Sequence, residues 1–261
     1  MQLGLCAHPA DLTSFKELPF DFIEGHVQNF LKPEALETEF AASAAAMRGS
    51  PRPMPSANCF LPADLKVTGP VVDQARLARY TETAFARAKS IGLTTIVFGS
   101  AGARQVPEGW SAMRGFEQYV EALKIVAPIA KKHGVTVVVE PLNRGECNLV
   151  NTIDEGAEAV QRCNHAHVRL LVDIFHMLRN DENPAPIERH ANLIVHAHVA
   201  EKEKRSRPGE MGDDFRPFLR ALKKAVRCQR LAIECVWTEP MAVGAIPALI
   251  ELRRQLADAG Y

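Results

Sequence analysis

Along the chain, short and largely apolar runs recur at regular intervals, and each is followed by a stretch with helical spacing. The runs are Gln2–His8, Phe22–Val27, Ser56–Pro62, Thr94–Ser100, Val135–Glu140, Val168–His176, Leu193–Glu201 and Arg230–Trp237. Near-continuous apolar runs are the pattern of parallel strands buried on both faces. Between them the spacing predicts helices around Asp11–Leu18, from Pro33 to Gly49, over Val71–Ile91, over Phe116–His133 and from Thr152 to about Cys163. Further helices are predicted over Pro186–Ala191, over Phe215–Val226 and from Met241 to about Ala259. Pro33 suits a first helical turn, while Gly49 and Gly92 suit helix exits. Eight strands alternating with helices predict a single (β/α)8 TIM barrel over residues 1–261. An open doubly wound sheet would show a Gly-rich phosphate fingerprint after the first strand, and "CAHPADLTSF" has none. No Gly- or Ser-rich linker divides the chain.

Four of the later runs end in a side chain that packs poorly and reacts well. "VTVVVE" ends at Glu140, "VRLLVD" at Asp173, "LIVHAH" at His198 and "RLAIE" at Glu234. Their separations of 33, 25 and 36 residues are each about one strand-plus-helix unit, which predicts that all four lie at the carboxyl-end rim of the barrel, where such folds place their sites. Three carboxylates crowded in a poorly solvated site resist ionisation unless a positive charge sits among them. A divalent cation answers that need. Three oxygen donors and one imidazole suit Mn²⁺, Mg²⁺, Co²⁺ or Zn²⁺, and ligand type alone does not choose among them; Mn²⁺ is the expected ion.

Other residues are placed near this rim by the same reading. His196 shares a strand face with His198, so it either orients a neighbour or fills the barrel interior. His176 reaches the site if its strand continues past Asp173, and otherwise meets solvent. Glu24 and His8, at the ends of the second and first strands, are candidate contacts for substrate hydroxyls. Trp110 and Arg104 lie in the long loop "AGARQVPEGWSAMRG", a candidate lid or substrate wall, and Trp237 is a candidate stacking surface. The charged segment Lys202–Arg207 is either an anion contact or a solvated face.

Composition narrows the class. Lys plus Arg and Asp plus Glu are 31 each, so the chain lacks the basic excess expected of a nucleic-acid binder. Hydrophobic residues at 47% suffice for a large core. The six cysteines form no CxxC pair, and the expectation is reduced, packed thiols. The first strand begins almost at Met1 and no apolar run approaches a membrane span, so a cytoplasmic protein free of membrane and nucleic-acid partners is expected; no stretch identifies a homo-oligomer interface, and pairing stays open.

The blocks "EPLNRGECNLVNT", "VDIFH" and "HAHVAE", with the glutamate of "AIEC", resemble the xylose isomerase-like barrel superfamily over essentially the whole chain. Within it the pattern is most similar to the ketose 3-epimerases. That resemblance implies a metal-dependent isomerase or epimerase acting on a small ketose or related hydroxy-carbonyl compound through a cis-enediolate. It implies Glu140, Asp173, His198 and Glu234 as metal ligands, and Glu140 and Glu234 as the acid/base pair. It also implies Glu146 and His176 as substrate contacts, with an arginine after strand seven that is either Arg205 or Arg207. Hydroxypyruvate isomerase and inosose isomerase or dehydratase stand beside this reading. So do a non-catalytic sugar-binding barrel and an endonuclease IV-type repair enzyme, although the last would need histidines after strands three and four, where "NCFLP" and "FGSAGAR" have none.

Overall fold

The computed structural model describes residues 1–261, apart from the side chain of Ser14. Strands β1 (Gln2–Cys6), β2 (Phe22–His26), β3 (Ser56–Asn58), β4 (Thr95–Phe98), β5 (Thr136–Val139), β6 (Val168–Asp173), β7 (Ile194–Val199) and β8 (Arg230–Ile233) pair in sequence order. β1 also pairs with β8, so the parallel sheet closes into a barrel. The helices around it are α1 (Val27–Phe30), α2 (Glu37–Arg48), α3 (Gln74–Ser90), α4 (Ala101–Arg104) and α5 (Ala112–His133), then α6 (Ile153–Cys163), α7 (Ile174–Arg179), α8 (Ala185–Arg189), α9 (Arg216–Leu222) and α10 (Met241–Asp258). A 3₁₀ segment, Pro9–Lys16, follows β1. The predicted fold class is the observed one.

Alternation along each strand divides the side chains into two sets. Ile96, Phe98, Val137, Val139, Leu170 and Val172 face the helices and join the main core, whereas Val97, Val138 and Leu171 form a separate apolar cluster. On the other side of the interior the same layer is polar, with Glu24, Ser56 and His196 all fully buried. One layer up, this parity places Asn58, Gly99, Glu140, Asp173, His198 and Glu234 at the carboxyl-end mouth. Lower down, the Phe22 ring fills the space beside Gly4, where any Cβ would overlap it.

Several element ends differ from expectation, and each difference has a local cause. β1, β3, β6, β7 and β8 all stop short of the apolar runs that contain them. β3 ends at Asn58 because Cys59 turns left-handed, with φ 52°. β6 ends at Asp173, whose carboxylate accepts from the backbone N–H of Phe175 at 2.8 Å and caps α7. His176 therefore sits on the first turn of a helix, where a continuing strand was expected. The helix expected from Pro33 begins at Glu37, because the Arg87 guanidinium gathers the carbonyls of Leu31, Lys32 and Ala35 into a turn. Ser111 accepts from the Arg114 N–H and starts α5 at Ala112, ahead of the expected Phe116. α1, α4 and α7 were not anticipated. Among the described residues all six cysteines are free, and no helix is long and apolar enough to cross a membrane.

Candidate active site and metal centre

Ligand atoms of Glu140, Asp173, His198 and Glu234 all lie within 4.8 Å of one another at the barrel mouth. His198 is the hub. Its Nδ1 faces Glu140 Oε1 at 3.2 Å, Glu234 Oε2 at 3.1 Å and Asp173 Oδ2 at 4.0 Å. Its Nε2 points down into the barrel and meets Glu24 Oε1 at 2.7 Å. The other oxygen of Glu24 takes His196 Nε2 at 2.6 Å and the Ser56 hydroxyl at 2.7 Å. Glu24 is thus a fully buried bracket and not the substrate contact that its strand position suggested. His196 takes the second of its two expected roles and fills the interior.

Glu140 follows β5 and is held against β4. A Cβ on Gly99 would overlap Glu140 Oε2, so only glycine leaves room for the carboxylate. Both oxygens of Glu234 are engaged: Oε1 accepts from Asn58 Nδ2 at 2.7 Å, and Oε2 meets Arg205 Nη2 at 2.6 Å. Arg205 also donates from Nε to the Glu234 carbonyl at 3.0 Å and lies over the Phe175 ring, 4.6 Å from its centroid. Its φ of 50° is one of two successive left-handed values with Lys204, the backbone form that turns this loop back over the mouth. The loop is anchored by Glu201, fully buried, whose carboxylate accepts from the N–H groups of Gly209, Met211 and Gly212.

Asn143 positions the remaining polar wall. Its backbone N–H donates to His176 Nδ1 at 3.1 Å, and its side chain donates to Glu146 Oε1 at 2.8 Å. A donor on Nδ1 fixes that nitrogen as the acceptor, so the neutral ring carries its proton on Nε2. Nε2 is buried and has no hydrogen-bond partner. Burial lowers the His176 pKa to about 4 despite the nearby Glu140, so the ring is neutral at ordinary pH.

Charge balance in the cluster is settled by neighbours. Burial raises Glu140 and raises Asp173 to about 6. For Glu234 burial also pushes upward, yet Arg205 and His198 outweigh it and bring the carboxyl to about 2. Burial alone would lower His198, but Glu24 and Glu234 drive it well above its ordinary value. Arg205 and His198 are the protein's own groups that offset these carboxylates electrostatically.

The donor set fits a divalent cation. Asp173 Oδ2 is buried without a hydrogen-bond partner, since its approaches to Arg205 at 3.5 Å and His176 at 3.6 Å fall outside bonding geometry. Three carboxylates and one imidazole that is hydrogen-bonded on its far nitrogen by a buried carboxylate are a donor set that could hold such an ion, with outer support for the imidazole in place.

The mouth contains two joined cavities. One, of about 350 Å³, is lined by Glu140, Glu146, His176, Arg205 and Glu234 among others. The second, of about 330 Å³, runs toward His8 and Trp237. Some expected residues lie elsewhere. Trp110 donates to Gln118 at 3.2 Å and is covered by Arg114, and it lines neither cavity. Arg207 pairs with Glu239 at 3.1 Å and also lines neither. Arg104 is fully buried, donates to the carbonyls of Phe98 and Val150 and stacks near Tyr119, so it is core and not lid. Sequence reasoning missed Asn58, Asn143 and Glu201. Strand parity could have found Asn58; nothing local marks the other two.

The barrel and its rim of carboxylates define a class. Residues 12–256 match the family described as xylose isomerase-like TIM barrel, and the chain belongs to that family. Among curated proteins it is similar to D-psicose 3-epimerase of Ruminiclostridium cellulolyticum, at 34% identity over 87 residues, 33% of this chain and 30% of the relative. It is also similar to 3-dehydro-D-guloside 4-epimerase of Escherichia coli K12, at 27% identity over 104 residues, 40% of this chain and 39% of the relative. These matches span only 30% and 39% of the two relatives' lengths. Among solved structures, apo 3-keto-D-glucoside 4-epimerase from E. coli superposes with a TM-score of 0.81 at 20% identity, covering 97% of this chain and 99% of that one, a likeness of fold.

Proposed function

We propose that the protein is a metal-dependent epimerase or isomerase of small keto-sugars, with Glu140, Asp173, His198 and Glu234 holding one divalent ion, Mn²⁺ foremost. The observation that carries this reading is the convergence of those four side chains, donors facing inward, beside a neutral His176 whose Nε2–H has no protein partner. A divalent ion held there polarises a carbonyl and its neighbouring hydroxyl and so favours the enediolate form of the substrate. The chain's own residues do the rest. Glu140 and Glu234 extend from β5 and β8, three strands apart round the ring, so a sugar between them meets a carboxylate on each side. One removes the proton next to the carbonyl and the other returns one. Return to the same carbon from the opposite side epimerises; return to the neighbouring carbon isomerises. His176 Nε2–H donates to a substrate oxygen, and Arg205 and Glu146, 3.7 Å apart, bracket the outer hydroxyls. The named activities of the relatives, both carbohydrate epimerisations, agree with this chemistry.

The test is a panel of ketoses and aldoses incubated in heavy water with Mn²⁺ and followed by NMR. Deuterium is expected at the carbon next to the carbonyl, with appearance of the epimer or isomer. Sugars that bind but never exchange would mark a non-catalytic barrel.

A further inference from the structure

The cavity at the barrel mouth is larger than one small ketose requires. The lobe beside Glu140 and His176, at about 350 Å³, already reaches the size at which ligand pockets begin, roughly 300 Å³. The second lobe adds about 330 Å³ and shares Asn58, Arg205 and Glu234 with the first, so the two meet at the reacting carboxylate. Its walls are unlike each other. Its apolar lining includes Trp237 and Val236, the latter 56% exposed. The Trp237 ring is braced from behind, since a Cβ on Gly244 of α10 would lie 2.9 Å from its Cζ3. His8 and His26, with ring centroids 6.3 Å apart, and Asp11, whose Oδ2 accepts from the His8 backbone N–H at 2.9 Å, line the lobe as well. His26 Nδ1 is buried and has no hydrogen-bond partner, and His26 lines both lobes. An aromatic face in the same lobe as polar side chains, one of them with a free ring nitrogen, suits a pyranose, whose C–H face is apolar and whose rim is hydroxyl.

We propose that the second lobe is a subsite for a second sugar ring, so that the preferred substrate is a keto-sugar carrying a glycosidically linked pyranose. Trp237 takes the apolar face of that ring, and His8 and His26 take its hydroxyls. This rests on the reading of the first lobe as a keto-sugar site, but its test is separable. The Trp110→Phe variant leaves Trp237 as the only tryptophan, because the chain has two. Its emission is titrated with maltulose and isomaltulose, each a glucosyl unit linked to a ketohexose, and with D-fructose, in Mn²⁺-loaded protein. At least one disaccharide should perturb Trp237 and bind about tenfold tighter than D-fructose. Measured by isothermal titration calorimetry in otherwise unaltered protein, Trp237→Ala should remove that gain without altering D-fructose binding, and Trp237→Phe should restore most of it. Proton exchange in heavy water is read in parallel. Exchange in D-fructose with no disaccharide gain overturns the subsite and leaves the proposed reaction standing. A disaccharide gain that depends on Trp237, with no exchange in any sugar, supports the subsite and overturns the reaction. No binding of either disaccharide overturns the subsite outright.

Discussion

Glu24 lies one layer below the cluster, yet its replacement should be felt in metal affinity. It accepts three hydrogen bonds, from His198 at 2.7 Å, His196 at 2.6 Å and Ser56 at 2.7 Å, and its own pKa is held low: burial pushes upward, but His198 and His196 outweigh it. Glu24→Gln keeps the shape and removes the charge. Ser56 can rotate its hydroxyl, and His196 can move its proton to Nδ1, which has no partner in the structure. His198 has no such freedom if it is to ligate as proposed, because its Nδ1 must then remain free for the cation. Loss of a carboxylate behind a ligating histidine ordinarily costs about 10–100-fold in metal affinity, equivalent to about 1.4–2.8 kcal/mol. Weakened bonds to a charged acceptor should also lower stability by about 2–4 kcal/mol. Calorimetric titration of chelator-stripped protein with Mn²⁺ reads the first quantity, and urea unfolding reads the second. A variant that binds Mn²⁺ as tightly as the parent would refute the idea that Glu24 sets the His198 imidazole for ligation.

Other substitutions test other parts of the structure. Gly99→Ala should push Glu140 out of place, with at least about a tenfold loss of Mn²⁺ affinity and of proton exchange at unchanged circular dichroism, given the overlap of any Cβ with Glu140 Oε2. Arg104→Met should destabilise by about 2–4 kcal/mol in urea unfolding, because the carbonyls of Phe98 and Val150 lose their buried donor. Glu182 is a pH probe: burial raises its pKa to about 7, while its carboxylate accepts from the Ile153 N–H at 3.0 Å. A folded pKa above the unfolded one means its contribution is full below about pH 4.5 and lost as pH rises through about 7. Glu182→Gln should therefore gain on the parent between roughly pH 5 and pH 8, by on the order of 1 kcal/mol after allowance for partial exposure.

The barrel was readable because its strands are buried on both faces. Runs such as Thr136–Val139 have no polar side to hide them among loops. The four rim residues were readable for the complementary reason, since an acid or imidazole ending an apolar run has no packing role. Strand ends were misjudged where the backbone leaves the ladder, at Cys59 by a left-handed turn and after Asp173 by a helix cap. No pattern of apolar residues marks either event. Arg104 read as a loop cation because charge normally reports exposure; its burial depends on two distant carbonyls and an aromatic ring that only the fold brings to it. Glu24 was placed on the right strand and given the wrong neighbours, because its partner His198 lies 174 residues away. Arg205 and Arg207 could not be told apart by position, and the successive left-handed residues Lys204 and Arg205 decide which one turns inward.

The central claim is that four rim side chains hold one ion on which proton exchange depends. Stripped protein titrated with Mn²⁺ while deuterium uptake into a ketose is followed tests it most directly. Exchange should be absent at the start, rise in proportion to bound ion, reach a plateau at one ion per chain, and be missing throughout in Asp173→Asn. Exchange that is already full before any ion is added, or that Asp173→Asn retains, would contradict it.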